Sequence, residues 1–406
     1  MHNVHSPHGR GLFFFCTFAP VFQNNIRKVV RLHIFNPEHD VALAAHRQPF
    51  TPSHACRQIR HDLGFVPALW AQPGDLVLTD DTEAAQEAFR HLGVSAQPSF
   101  IDWHDLRHRA AALMADAPLE ICPWGWDAYL RRQLLDAGIA ADLLPTEARL
   151  ETIRSMSHRS WAAQQLLVPL RQLSTTVGES FELHQIEELN ELLKNHHHLV
   201  LKAPWSSSGR GIRYVSALQN GSHETPQPLT PHLAGWVANV LARQGSLVAE
   251  PYYDKVLDFG MEFTSDGNGL VSYCGLSVFH TKNGAYTGNL LDNEEDKLQI
   301  ISRYISTSLI HQTIDAVTQI LGNHLSGVYS GPLGVDMMVV QQNGYLMLHP
   351  CVELNLRCTM GHTALALAHR LSPSAYKRVM RITYSDKYRL QVQYPHDPQA
   401  DSVQHE

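Results

Sequence analysis

Residues 334–361 read GVDMMVVQQNGYLMLHPCVELNLRCTMG, and no other stretch of the 406-residue chain is as informative. Asn343-Gly344 at its centre is the pair a two-residue type I′ hairpin turn requires, because both central positions take positive φ. A turn without a bulge pairs Gln342 with Tyr345 and sets Asp336 opposite Cys351. Side chains alternate along a strand, so Glu353, Asn355 and Arg357 then share one face with Asp336. In that register Asp336 and Glu353 are diagonal neighbours, about 7–8 Å apart at the backbone. Two carboxylates, a carboxamide and a guanidinium make a poor core and a good seat for Mg²⁺, which prefers a few carboxylates plus phosphate oxygens. A solvated polar strand face is the alternative.

A second cluster lies upstream. Leu199-Val200-Leu201 reads as a short strand that delivers Lys202 at its end. Ser206, Ser207, Ser208, Gly209, Arg210 and Gly211 follow as a loop of small residues. Its backbone N–H groups can form an anion-binding concavity, to which serine hydroxyls and Arg210 add donors. The loop is not a Walker A motif, there is no GxGxxG fingerprint, and a plain surface loop is the other reading. Further on, Leu247 to Pro251 reads as a strand ending in Glu250, with Asp258 and Glu262 beyond it.

A basic strand end, a Ser/Gly loop, an acidic hinge and a terminal Glu-x-Asn-x-Arg, in that order, resemble the ATP-grasp superfamily over roughly residues 150–385. The Glu-x-Asn-x-Arg at Glu353–Arg357 is the most specific part of the resemblance. It implies ATP held between two α+β subdomains, with Mg²⁺ (or Mn²⁺) on the terminal phosphates. Lys202 would contact the α-phosphate and the base, and Glu250 would lie near the adenine amino group. Asp258 or Glu262 would lie near the ribose. Asp336, Glu353 and Asn355 match the metal ligands, and Arg357 matches the arginine that steadies the transferring phosphoryl group. The superfamily usually carries an earlier lysine; here the matching segment offers Arg159 or His158 instead, and Arg can serve a phosphate as well as Lys. The implied chemistry is a carboxylate–amine ligase: ATP activates an acid as an acyl phosphate, Lys202 and Arg357 assist, an amine attacks, and ADP leaves. An ATP-grasp kinase, a peptide-modifying ligase and a nucleotide-binding regulator without turnover are the alternatives.

Composition agrees with an ordinary enzyme of two or three domains: 44% hydrophobic, 17% charged, formal net charge −7. That charge argues against a broad nucleic-acid surface, so the expected partners are a small-molecule acid and amine (or a peptide), with a homodimer as the assembly to test. Six scattered cysteines without a C-x-x-C pair suggest free thiols in a reducing, cytoplasmic setting. His196-His197-His198 reads as a polar loop. The apolar Leu12–Phe22 run is too short to span a membrane, and Ala19 within it is a poor cleavage site, so residues 1–30 are expected to be a non-conforming leader or an over-extended, disordered start, with the fold beginning near Arg31.

From residue 31 to 149 strands alternate with helices, as in a small parallel α/β, Rossmann-like domain of the kind that precedes the ATP-grasp region. Val29–Phe35 and Asp75–Thr79 read as strands, Asp81-Thr82 opens a helix to about Leu92, and Gly138 stops another that begins at Ala128. Asn36, His39, Asp40 and Trp124 fall at or after strand ends, where open α/β sheets bind ligands; turn chemistry and packing explain them equally well. Tyr286–Asn289 reads as a mobile or surface loop, residues 216–231 as a loop insertion, and residues 386–406 as a C-terminal tail.

Overall fold

The computed structural model describes residues 29–46, 50–94, 99–206, 211–216, 229–282, 285–371 and 378–394. Residues 1–28, the centre of the Ser/Gly loop (Ser207, Ser208, Gly209 and Arg210) and most of the 216–231 insertion lie outside them. Among the described residues no helix is long and apolar enough to cross a membrane.

The first part of the chain forms β1 (Val30–Ile34), β2 (Leu76–Thr79), β3 (Ser99–Asp102) and β4 (Leu119–Pro123), a parallel sheet in the order β3-β2-β1-β4. Leu32, Ile34, Leu78, Ile101 and Ile121 bury its core, as expected for strands covered on both faces. Helices start where the sequence supplies caps: Asp81 accepts from the N–H groups of Glu83 and Ala84, and Asp127 accepts from that of Leu130. Gly138, at φ +88°, follows the helix Ala128–Asp136. Strand order reverses between β1 and β4, so the crevice at their carboxyl ends faces the remainder of the molecule.

Next come β5 (Phe181–Leu183), β6 (His198–Lys202), β7 (Ile212–Ser216) and β8 (Leu247–Pro251), an antiparallel sheet ordered β5-β8-β6-β7. Leu199, Leu201 and Ala249 pack under the helices Ile186–Asn195 and Pro231–Gln244. Alternation turns Val200, Lys202 and Glu250 to the opposite face.

The largest sheet contains β9 (Asp254–Ser265), β10 (Val271–Lys282), β11 (Ala285–Leu291), β12 (Gly331–Gln342), β13 (Tyr345–Asn355), β14 (Arg378–Tyr384) and β15 (Tyr388–Gln393), ordered β13-β12-β9-β10-β11-β14-β15. Phe259, Met261, Phe263, Val335, Met337 and Val339 bury one face, in one core with Val317 and Leu321 of the helix Thr307–Leu325. The other face carries Asp258, Gly260, Glu262 and Asp336.

Three expectations change here. Tyr286–Asn289 is not a loop but part of β11, paired with both β10 and β14. The expected tail is partly a strand: β15 pairs with β14 along its length, Leu390 is buried, and the Tyr388 N–H donates to Asp62 Oδ2 (2.8 Å). Alternating Tyr388, Leu390 and Val392 give β15 an apolar face that packs with the first domain and the helix Met360–Arg370.

The third change is the register of the β12–β13 hairpin. The turn forms as expected, with Asn343 at φ +53° and Gly344 at +82°, and Gln342 pairs with Tyr345. Past Met338, however, the register shifts: Met338 faces His349 and Asp336 faces Glu353, which leaves Pro350, Cys351 and Val352 opposite Met337. Pro350 has no N–H to give the ladder, and a bulge is where a strand accommodates proline. Asp336 therefore faces Glu353 directly rather than Cys351, and the two carboxylates come closer than the unbulged register predicts.

Candidate active site

The polar faces of the two antiparallel sheets meet at the end of β13, beside the crevice of the parallel sheet. Asn355 Nδ2 donates to Asp336 Oδ2 (3.1 Å), and Arg159 Nη2 pairs with Glu353 Oε1 (2.9 Å). Arg159 is itself buried at the start of a short helix, where its Nε donates to the Ala203 carbonyl (3.1 Å) and Nη2 also reaches Ser206 Oγ (3.3 Å). Lys202 Nζ sits 2.5 Å from Glu250 Oε2 and 3.4 Å from the Val352 carbonyl in the bulge. Lys202 thus spans the two sheets. Both members of the Lys202–Glu250 pair are buried, a costly arrangement tolerated where each charge has a partner.

Arg357 lies just past β13. Its Nε donates to Asp40 Oδ1 (3.0 Å) and its Nη1 donates to the Cys358 carbonyl (3.1 Å). The Cys358 N–H in turn donates to the Trp124 carbonyl (2.7 Å) at the end of β4. A small cleft beside these contacts is lined by His39, Asp40, Trp205, Ser206, Glu353 and Arg357.

Burial and neighbouring carboxylates together set the electrostatics. Burial, then the neighbouring charges of Glu353 and Glu262, push Asp336 up to about 8, against the weaker pull of Arg357 and Asn355. Such a site calls for a cation, and two carboxylates with a carboxamide oxygen are a suitable donor set for Mg²⁺. Burial alone would raise Asp40 as well, but Arg357 and His39 hold it below its ordinary value. His349 is fully buried, and neither ring nitrogen has a hydrogen bond among the described residues; burial, helped by Lys202, pushes it down to about 3, so it adds no charge here.

Of the residues singled out in the sequence, Arg159, Lys202, Ser206, Glu250, Asp336, Glu353, Asn355 and Arg357 are linked to one another by these contacts or lie beside them. Gly211 closes the Ser/Gly loop: its carbonyl accepts from the Ala203 N–H (2.8 Å), and a Cβ there would lie 2.3 Å from Ser206 Cβ. Asp258 is on the same sheet face but is held by Lys255 Nζ (2.5 Å) and Thr281 Oγ1 (2.7 Å).

Glu262, expected near a ribose, is packed beneath a helix start. It is only 1% exposed, and its oxygens are taken by Ser277 Oγ (2.7 Å), Thr359 Oγ1 (2.8 Å) and His362 Nδ1 (3.0 Å). A Cβ on Gly361 would lie 1.8 Å from Glu262 Oε1, so the helix start closes over the carboxylate. Glu262 anchors that helix. Thr359, the N-cap of that helix, was a local signal for one of its partners. The Val352 carbonyl and the Asp40–Arg357 bond had no local signal.

No family model matches the chain, and no curated protein matches it either. Solved structures do. A biotin carboxylase domain of 2-oxoglutarate carboxylase from Hydrogenobacter thermophilus, in complex with MgADP, ADP and bicarbonate, is 17% identical, with a TM-score of 0.49 over 88% of this chain and 75% of that one. N5-carboxyaminoimidazole synthetase from Staphylococcus aureus, complexed with ADP, is 10% identical, with a TM-score of 0.46 over 89% and 84%. A putative ATP-grasp superfamily protein from Archaeoglobus fulgidus is 11% identical, with a TM-score of 0.42 over 90% and 99%. These likenesses are distant, and the functional reading rests on the residues of this chain.

Proposed function

We propose that this chain is an ATP-grasp enzyme that activates a carboxylate as an acyl phosphate and transfers the acyl group to an amine, releasing ADP. One observation carries the reading: Asp336, Glu353 and Asn355 converge with Lys202, Arg159 and Arg357 at a single locus between three sheets. Burial, then the neighbouring acids Glu353 and Glu262, push Asp336 up to about 8, and a bound cation would offset that effect. Asp336, Glu353 and Asn355 would hold Mg²⁺, which, when bound, neutralises charge developing on the terminal phosphate oxygens. Lys202 and Arg159 are the buried cations available to the phosphate chain, each released from Glu250 or Glu353 as phosphate oxygens replace the carboxylate. Arg357 brings a fixed guanidinium to the reacting end, suited to a phosphoryl or acyl-phosphate oxygen. The acid and the amine would enter from the side of the parallel sheet, where Asp40 and His39 line the cleft.

The test is incubation with ATP, Mg²⁺ and a metabolite pool. ADP, phosphate and a new amide mass are the expected products, with hydroxylamine trapping the activated acid as a hydroxamate. AMP and pyrophosphate would exclude acyl-phosphate chemistry, and absence of any nucleotide binding would exclude the family.

A further inference from the structure

The segment Asn36-Pro37-Glu38-His39-Asp40 has no counterpart in the ATP-handling residues, yet it is fixed from several sides. Asn36 Nδ2 donates to the Gly125 carbonyl (2.8 Å) and to Asp127 Oδ2 (3.1 Å), and His39 Nδ1 lies 3.2 Å from the same Asp127 oxygen. Asn36, His39 and Asp127 are all 2% exposed or less, and a Cβ on Gly125 would lie 2.7 Å from the His39 ring. At its far end the helix His39–Ala45 is held by Arg154 Nε, which donates to the Leu43 carbonyl (2.8 Å). What this clamp presents to Arg357 is the Asp40 carboxylate, 3.0 Å from Nε.

Given the function proposed above, on which this step rests, we infer that Asp40 is a positioning residue for Arg357. Nε is taken by Asp40 and Nη1 by the Cys358 carbonyl; Nη2 has no hydrogen bond among the described residues and is left for a substrate oxygen. A guanidinium is planar, so fixing two of its nitrogens fixes the direction of the third. The same clamp makes the parallel sheet part of the catalytic apparatus, because the arginine at the end of β13 is aimed by a residue 317 positions earlier in the chain. Small errors in aim are costly: misplacement by about 1 Å lowers a rate by roughly 100-fold.

The test needs no knowledge of the acid or amine. Calorimetry compares binding of MgADP with binding of MgADP plus aluminium fluoride, a mimic of the transferring phosphoryl group. Wild type is expected to bind the second at least about 100-fold more tightly, as transition-state mimics do. Asp40→Ala should keep MgADP affinity within about twofold while losing roughly tenfold or more of the fluoride enhancement. Asp40→Asn, which retains an oxygen acceptor for Nε, should lose less, and it serves as the readout where the alanine variant does not fold. Asp40→Ala in an Arg357→Ala background should add nothing. An enhancement retained in Asp40→Ala, losses that multiply in the double variant, or a drop in MgADP affinity itself would each overturn the assignment. Failure of the wild type to bind MgADP would instead defeat the proposed function, and is recognisable because it precedes any substitution.

Discussion

Glu262 and Asp336 stand on the same face of one sheet, on adjacent strands, in opposite surroundings. Around Glu262 every oxygen has a donor, glycines at 334 and 361 let the backbone close over it, and His362, Ser277 and Thr359 overcome the effect of burial to hold it below its ordinary value. Around Asp336 the donors thin out, among the described residues, to Asn355, Glu353 stands directly opposite, and burial with these acids drives the carboxyl up to about 8. One carboxylate is satisfied by the protein itself. The other shares its surroundings with a second acid. That contrast separates an anchor from a site more sharply than burial does.

The contrast breaks first under Asp336→Asn. Mg-dependent ADP release should fall by about 100-fold or more, because a carboxylate contact to the ion is lost. Stability in magnesium-free buffer should stay level or rise. The sign follows from the raised pKa: ionising Asp336 is harder in the folded state, so the free protein loses stability as pH climbs from its ordinary 3.8 toward about 8. Melting curves across that window should slope for the wild type and flatten for the variant; equal slopes would put Asp336 outside the crowded cluster.

Glu262→Ala should do the reverse, costing about 3 kcal/mol in urea denaturation whether or not magnesium is present, since Ser277, Thr359 and His362 lose a buried partner. Glu262 is held below its ordinary value of 4.5, so its contribution is present above that value and is lost as pH falls through the folded pKa. Glu262→Gln should therefore lessen acid sensitivity below about pH 4.5, and an unchanged acid midpoint would remove Glu262 from its anchoring role.

Lys202→Met tests a residue with both characters. ATP binding, read by thermal shift, should weaken by about 1.5–3 kcal/mol for one lost charged hydrogen bond. The buried Glu250 should also be left unpaired, so adding Glu250→Gln is expected to recover stability but not ATP affinity. Recovery of both would make the pair purely structural. The smallest effect belongs to Asp258→Asn. Its partner Lys255 is 40% exposed on the side chain, and after solvent screening the loss should stay under about 1 kcal/mol.

Much of this contrast was legible before any coordinates. Asn343-Gly344 specified its turn because few residues accept positive φ, and side-chain alternation then brought Asp336, Glu353 and Asn355 to one face. Asp81 and Gly138 marked helix ends for equally local reasons. The register beyond Met338 was not legible, because the length of a bulge depends on what packs around it. Tyr388-Arg389-Leu390-Gln391-Val392 carried a strand's alternation yet read as a tail, since an alternating segment shows no purpose until a face exists to cover.

The sequence by itself determined the chemical inventory and its local geometry: which residues end strands, where the hairpin turns, and which acids and bases share a face. These depend on φ/ψ preference and on a period of two, both written in consecutive residues. Only the tertiary structure decided which charges meet. Arg357 finds Asp40 and Arg159 finds Glu353 because elements distant in the chain pack together, while Glu262 finds His362 because the helix that follows β13 lies over β9. Partners so far apart in the chain are chosen by the burial of Leu, Phe and Val elsewhere, and no local pattern of charge records the choice.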